Sequence, residues 1–244
     1  YVNRIAGLIT VAVVSRDGEM SNDFQFRLGK LDTIDRTALA KEAVSGALKK
    51  LGGEPAPTGM YPVVFSPEAM ADLLRPFSSV FSSEAAQKGL SKLGKSEGTV
   101  MAAPCVTIVD DPFHPESPAP IPFDAEGSPT HCKNIVEQGV LNTLLYNLKT
   151  AHKAGKTTTG NASKAGYQSS LGVRPFTMYL AGGDCSEEHL LEMAGQGVYI
   201  DALEGLHAGA NAVSGDFSLQ SSGFMIEDGK KTIPVRSFTV AGNF

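Results

Sequence analysis

Apolar and polar positions alternate or cluster along this chain with periods that change several times. Residues 4–14, RIAGLITVAVV, form a nearly continuous β-branched run, which predicts a strand covered on both faces. Asp17 and Gly18 mark a turn, and DFQFRLG at 23–29 alternates as a second strand. From about Asp35 to Leu51 the period becomes helical, with Leu39, Ala43, Val44, Ala47, Leu48 and Leu51 expected on one face and Gly52 and Gly53 as the stop. The proline-rich stretch GEPAPTG at 53–59 reads as a boundary, followed by a strand in YPVVF. Ser66 is placed to cap a helix whose first residue is Pro67, where a missing N–H costs nothing. Pro76 should end or kink that helix.

A second helix is expected from Glu84 to Leu93, capped by Ser83 and closed by Gly94, and another from Ser186, with Glu187 and Glu188 at its positive end. Between and beyond them the chain reads as short strands and turns. In the last fifth, Phe224 and Ile226 alternate with Met225 and Glu227 before the Asp228-Gly229 turn, and Ile233, Val235, Phe238 and Val240 follow. That pattern is a β-hairpin. The fold class expected is α+β, with mixed or antiparallel sheets and a β-rich C-terminal half carrying a few helices. Domain limits are expected at 1–55, a strand-helix remainder of an N-terminal domain, and 56–244, a β-rich C-terminal domain.

Composition narrows the function classes. With 21 basic and 26 acidic residues the net charge is −5, and the basic residues are dispersed, so no electropositive stripe is offered to a nucleic-acid backbone. Cys105, Cys132 and Cys185 are odd in number and widely spaced, which fits neither a disulfide framework nor a zinc ribbon and suggests reduced thiols in the cytoplasm. The longest apolar run, Ile5 to Val14, is about half of the ~20 residues a membrane span needs. Direct nucleic-acid binding and membrane insertion are therefore not expected.

Several blocks carry a resemblance. Residues 195–243 read GQGVYIDALEGLHAGANAVSGDFSLQSSGFMIEDGKKTIPVRSFTVAGN, and upstream lie VTIVDDP at 106–112, PFDAEGSPT at 122–130, GVL at 139–141 and AHKAGKTTTGNAS at 151–163. In this order they resemble the TldD/PmbA family, in which strings of the type TGD(Y/F)S, SGFxIExGK, PV and AGN recur. The likeness covers nearly all of the chain from about residue 30. It implies a metalloprotease system of two related subunits that trims peptides, including leader segments of peptide precursors, and degrades some unfolded polypeptides. It also brings an older label, modulator of DNA gyrase, which the charge distribution makes more plausible as an indirect effect. Because the chain begins at Tyr1 and the family is longer at both ends, a fragment of a longer protein is expected.

The resemblance also implies a test at one place. The family's catalytic subunit, TldD, carries a His-Glu-x-x-x-His zinc motif where this chain has YPVVFSPEAMADLL at 61–74. With the glutamate set on Glu68, Pro67 and Asp72 stand where the two histidines would be. Catalytic zinc needs about three protein ligands and an open position, and proline supplies none. The implied identity is a PmbA/TldE-like subunit without cofactor, zinc being expected only in a TldD-like partner. Partners would be that subunit or a second copy, with peptides as substrates. A different reading is a homo-oligomeric binding protein that holds extended peptides by adding them to a sheet edge without cleavage.

Other candidates follow from residue types alone. His189 and Glu192, with Glu188, offer metal donors on one helix turn, too few for a strong site. His131 beside Cys132 suggests a thiol–imidazole pair, but neighbours along a strand point to opposite faces. Asp124 and Glu126 share a face if extended, yet Gly127 and Pro129 favour a turn-stabilising role. Thr159, Gly160 and Asn161, and Glu204 and His207 in EGLHAGAN, are expected to line a cavity or subunit contact. No Gly-x-Ser-x-Gly elbow or nucleophilic cysteine signature is present.

Overall fold

A computed structural model describes residues 5–117 and 119–244. Its strands are β1 (Ala6–Arg16), β2 (Glu19–Gly29), β3 (Val63–Phe65), β4 (Ile108–Asp110), β5 (Lys133–Glu137), β6 (Val140–Leu141), β7 (Ala162–Ser163), β8 (Gly172–Val173), β9 (Met178–Leu180), β10 (Gly197–Glu204), β11 (Asp216–Glu227) and β12 (Lys230–Asn243). The helices are α1 (Arg36–Lys49), α2 (Pro67–Phe77), α3 (Ser83–Gln87), α4 (Leu148–Ala154), α5 (Glu187–Ala194) and α6 (Leu206–Gly209). The strands form two two-stranded sheets, β1-β2 and β7-β8, and two four-stranded sheets, β12-β11-β10-β3 and β6-β5-β4-β9. β10 runs antiparallel to β11 and parallel to β3, so the protein is α+β with mixed and antiparallel sheets, as the pattern predicts.

Two compact units divide the chain. One comprises the residues up to Met70 with Cys185–Gly205 and Ser218–Val240, and the other Ala71–Asp184, Leu206–Phe217 and Ala241–Phe244. In the first, Leu191 of α5 packs with Tyr199 and Ile226 of the sheet, and Val64, Ala194 and Phe224 surround them. Burial of each such side chain is worth roughly 1.5–3 kcal/mol. In the second, Phe77 is fully buried, stacked on Phe244 at 4.6 Å and edge-on to Phe217 at 6.4 Å.

Several turns match their residues closely. Asp228 and Gly229 take φ of 49° and 73°, and Asp17 and Gly18 take 54° and 84°, the left-handed pairs that two-residue hairpins require. Pro76 lies in the last turn of α2, which stops at Phe77. Ser186 caps α5 by accepting from the His189 N–H.

Elsewhere tertiary context overrides the pattern. β1 is covered on one face only: Leu8, Thr10, Ala12 and Val14 are half-buried, while Ile9, Val11 and Val13 are exposed. The register sets Ile9 opposite Phe26 and Val11 opposite Phe24, which are exposed too. A two-stranded sheet with one helix against it can bury one row of each strand, whatever the hydrophobicity of the other. Arg4, the first residue of the expected strand, lies outside the described residues. In α1, Leu39, Ala43 and Ala47 are buried but Val44 and Leu48 are 45% and 47% exposed, because the buried stripe is narrower than the apolar one. The helix expected over 84–93 ends at Gln87, since Gly89 takes a φ of 73°, and its cap is Ser82, not Ser83. The AHKAG block, read as strand and turn, starts with helix α4, capped by Asn147 and Thr150.

Between β10 and β11 the backbones approach closely. The register slips between Ile200 and Ala202, opposite Gly223, and a Cβ on Gly223 would run into the Tyr199 carbonyl. Gly223→Ala should therefore destabilise the protein by about 2–3 kcal/mol, lowering the thermal midpoint by roughly 4–10 °C. An unchanged midpoint in calorimetry would mean that the strands separate without cost.

Candidate functional site

Strand β3 feeds directly into α2, so the start of this helix is fixed by the sheet. Ser66 N–H donates to the Ile200 carbonyl at 2.8 Å, and its hydroxyl donates to the Asp201 carbonyl at 3.2 Å. The same hydroxyl accepts the Ala69 N–H at 3.0 Å, completing an N-cap on a buried serine. Pro67 occupies the first helical position, which removes one of the donors a helix end leaves unpaired. Glu68 is exposed in the first turn, where the helix dipole favours a carboxylate. Asp72 pairs with Arg75 one turn on, at 2.9 Å.

Such a donor set does not fit zinc. Around the helix start it offers one exposed carboxylate, and among the described residues no three His, Cys, Asp or Glu side chains stand where they could hold a metal ion.

Next to this cap lies a polar group, Tyr199, Glu187 and Lys231, whose meeting the sequence did not reveal. Tyr199 donates its hydroxyl to Glu187 at 2.8 Å, Lys231 donates to the same carboxylate at 2.7 Å, and the Lys231 ammonium sits 3.4 Å from the Tyr199 ring centre. Burial, followed by the Glu187 carboxylate, pushes the Tyr199 phenol far above its usual range. The Glu187 carboxyl lies below its ordinary value, held there first by the hydrogen bond from Lys231. At the slip in β10, the carboxyl of Asp201 is raised, chiefly by burial and further by Asp23, with Lys50, Lys231 and Lys49 opposing. Asp23 itself is held by Lys50 at 2.5 Å and Gln25 at 2.8 Å.

The residues expected to line a cavity sit in well-defined places. Thr159 accepts the Tyr146 N–H and donates to Asn161, each at 2.7 Å. Asn161 is fully buried and donates to Asp110 at 2.7 Å and to the Arg174 carbonyl at 3.1 Å. Gly160 takes a φ of 69° against the Pro129 carbonyl, where a side chain would collide. Asp110 also accepts from the Phe176 and Thr177 amides at 2.8 and 3.0 Å and from Lys133 at 3.3 Å. Burial lowers the Lys133 ammonium, and Asp110 offsets part of that. Among the described residues no buried side-chain nitrogen or oxygen lacks a hydrogen-bond partner, which is the pattern of a structural polar core. Glu204 ends β10 and His207 lies in α6, both exposed.

Asp124 accepts the Glu126 and Ser128 amides through one oxygen and the Ala162 amide through the other, all at 2.9 Å, so it organises a turn. Glu126 accepts the Leu148 N–H at 2.8 Å and thereby finishes α4. His189 and Glu192 form an exposed pair at 3.7 Å beside an exposed Glu188. Cys132 is exposed, and burial of its thiol with Asp111 nearby pushes it up, away from a reactive thiolate; burial and Lys133 lower His131. A second network escaped the sequence reading. Glu97 accepts from Lys156, from Leu144 N–H at 2.7 Å and from the Tyr146 hydroxyl at 3.1 Å. Burial alone would raise the Glu97 carboxyl, but these donors together hold it low.

Two outcomes follow for these groups. Asn161→Ala leaves the buried Asp110 with fewer donors and should cost about 2–3 kcal/mol in chemical unfolding; a loss under ~0.5 kcal/mol would mean the network is dispensable. For Asp201, whose folded carboxyl is raised, stability is fully present at acid pH and declines as the pH climbs through the folded value. Asp201→Asn should therefore be more stable than wild type at pH 7, with the gap closing as the pH falls toward about 4. A gap that widens on acidification would reverse the assignment.

Comparison with known proteins places the chain. Residues 58–244 match the family described as PmbA/TldA metallopeptidase C-terminal domain. The chain is 26% identical over 245 residues to the metalloprotease PmbA of Escherichia coli O157:H7, covering 100% of this chain and 52% of that protein. A crystal structure from Thermotoga maritima MSB8, described as a modulator of a DNA gyrase, superposes with a TM-score of 0.91 at 37% identity, over 98% of this chain and 54% of that one. TldE from Thermococcus kodakarensis superposes with a TM-score of 0.85 at 25% identity, with the same shares. The chain thus spans about half the length of the relatives it matches. With residues 58–244, well over half of its length, matching that family model, the chain belongs to the PmbA/TldD metallopeptidase family.

Proposed function

We propose that this chain is a non-catalytic, PmbA/TldE-like component of a TldD/TldE-type metallopeptidase that processes or degrades peptides and unfolded polypeptides. The observation that carries this reading is the start of α2. The Ser66 hydroxyl caps the Ala69 N–H, Pro67 brings no N–H, Asp72 is paired with Arg75, and Glu68 is the one element of the zinc motif present. Without a metal-bound water, Glu68 has no activated proton to take. Zinc and hydrolysis then belong to a TldD-like partner, and this chain supports that subunit and helps enclose the peptide. The net charge of −5 favours protein and peptide partners over direct contact with nucleic acid.

Mixing decides the matter. The purified chain should cleave no unfolded peptide, and a TldD-like subunit with an intact His-Glu-x-x-x-His motif should gain activity at least ~10-fold on its addition, about 1.4 kcal/mol in transition-state terms. Chelator-sensitive cleavage by this chain alone would overturn the proposal.

A further inference from the structure

Lys133 is a lysine buried beside both a carboxylate and an amide. It stands opposite Asp110 across the β4-β5 pair, and its exposure is 8% where that of Asp110 is 0%. A lysine ammonium carries three donors, yet among the described residues its hydrogen bonding is limited to Asp110 Oδ2 at 3.3 Å. A well-formed ionic hydrogen bond is shorter, about 2.7–2.9 Å. A buried ammonium held so loosely favours release of a proton, and burial lowers Lys133 accordingly, with Asp110 opposing.

The same Asp110 oxygen accepts from the Asn161 side-chain amide at 2.7 Å, so the lysine amine and the amide nitrogen meet at one atom. Asn161 is fully buried and held at both ends of its amide. Nδ2 donates also to the Arg174 carbonyl at 3.1 Å, and Oδ1 accepts the Thr159 hydroxyl at 2.7 Å. A donor on the amide oxygen polarises the Asn161 Cγ and stabilises the negative charge that builds on that oxygen under attack. The Phe176 and Thr177 amides grip Asp110 Oδ1 at 2.8 and 3.0 Å, which keeps the carboxylate from turning away. A nucleophile, a proton carrier touching both nitrogens and an activated acyl carbon are thus gathered where water is excluded.

We propose that Lys133 and Asn161 form a self-modification site, at which the two side chains join in an intramolecular amide cross-link with Asp110 as the proton carrier. Asp110 takes a proton from the Lys133 ammonium, and the freed Nζ attacks Asn161 Cγ while the Thr159 hydroxyl supports the oxyanion. Asp110 then hands its proton to Nδ2 and the Cγ–Nδ2 bond breaks. The second proton shed by Nζ leaves with the ammonia as an ammonium ion, so an amide and an ammonium ion replace an ammonium group and an amide. No oxidant, metal or cofactor is consumed. The new bond ties β5 to the segment before β7 and closes residues 133–161 into a ring, which restricts the unfolded chain as a disulfide does, without needing an oxidising compartment. This inference stands apart from the function proposed above.

Intact-mass spectrometry of the 244-residue chain, folded and held overnight, tests the proposal. Its mass should read about 17 Da, one ammonia, below that of its sequence, and digestion should release a branched fragment joining the peptides that carry Lys133 and Asn161. Chain recovered as insoluble aggregate and kept in denaturant should retain the full mass, because the fold supplies the proximity. Lys133→Arg keeps a cation beside Asp110 but brings no primary amine, and should show no loss. A folded chain at the full mass of its sequence would overturn the proposal. So would an equal loss in denaturant or in Lys133→Arg, either of which would place the lost ammonia at another residue. Fragment mapping uses the unaltered chain alone, so the result does not depend on whether the variant folds.

Discussion

An α-helix begins with backbone donors that have no partner within the helix, and the account of this protein depends on how α2 satisfies its own. The Ser66 hydroxyl accepts from the Ala69 N–H and donates a hydrogen bond to the Asp201 carbonyl, while Pro67 brings no donor at all. One side chain thus finishes the helix and ties it to β10. A position spent on closing a helix with proline cannot present an imidazole to a metal. The local stability of this helix start and the poor fit of its side chains to zinc are two consequences of the same residues.

The same economy of polar groups runs through the rest of the molecule. Asp110 gathers two amides, Asn161 and Lys133, while Asp124 gathers three amides and Glu126 finishes α4. Asp110 and Asp124 are buried carboxylates used as acceptors for backbone that would otherwise lack a partner, and Glu126 does the same for an exposed amide. These residues fall within VTIVDDP and PFDAEGSPT, blocks that mark the family. Their hydrogen bonds give acidic residues in such blocks a structural role: removing an acceptor from a buried network costs more than the net value of the bond.

Much of this was legible from residue order, and the parts that were not have specific causes. The Asp17-Gly18 and Asp228-Gly229 turns, the Ser66-Pro67 start of α2 and the Ser186 cap depend on two to four neighbouring residues, so local chemistry decides them. The exposure of Ile9, Val11, Val44 and Leu48 depends on how many layers surround β1 and α1, which periodicity does not encode. Helix α3 stopped early because Gly89 turned left-handed before the apolar pattern ran out. The acceptor role of Asp124 was readable from the nearby Gly127 and Pro129. By contrast, the Tyr199, Glu187 and Lys231 group joins side chains of three elements, α5, β10 and β12, and Glu97 meets Tyr146 and Lys156 across long loops. Only the fold reveals such meetings.

Zinc itself provides the most direct measurement. Crystals of the chain equilibrated with zinc, recorded on both sides of the zinc absorption edge, should show no anomalous peak within coordination distance of Glu68. A full-occupancy peak there, with Glu68 and further side chains as ligands at about 2.0–2.2 Å, would contradict the claim that the residues at this helix start do not fit zinc.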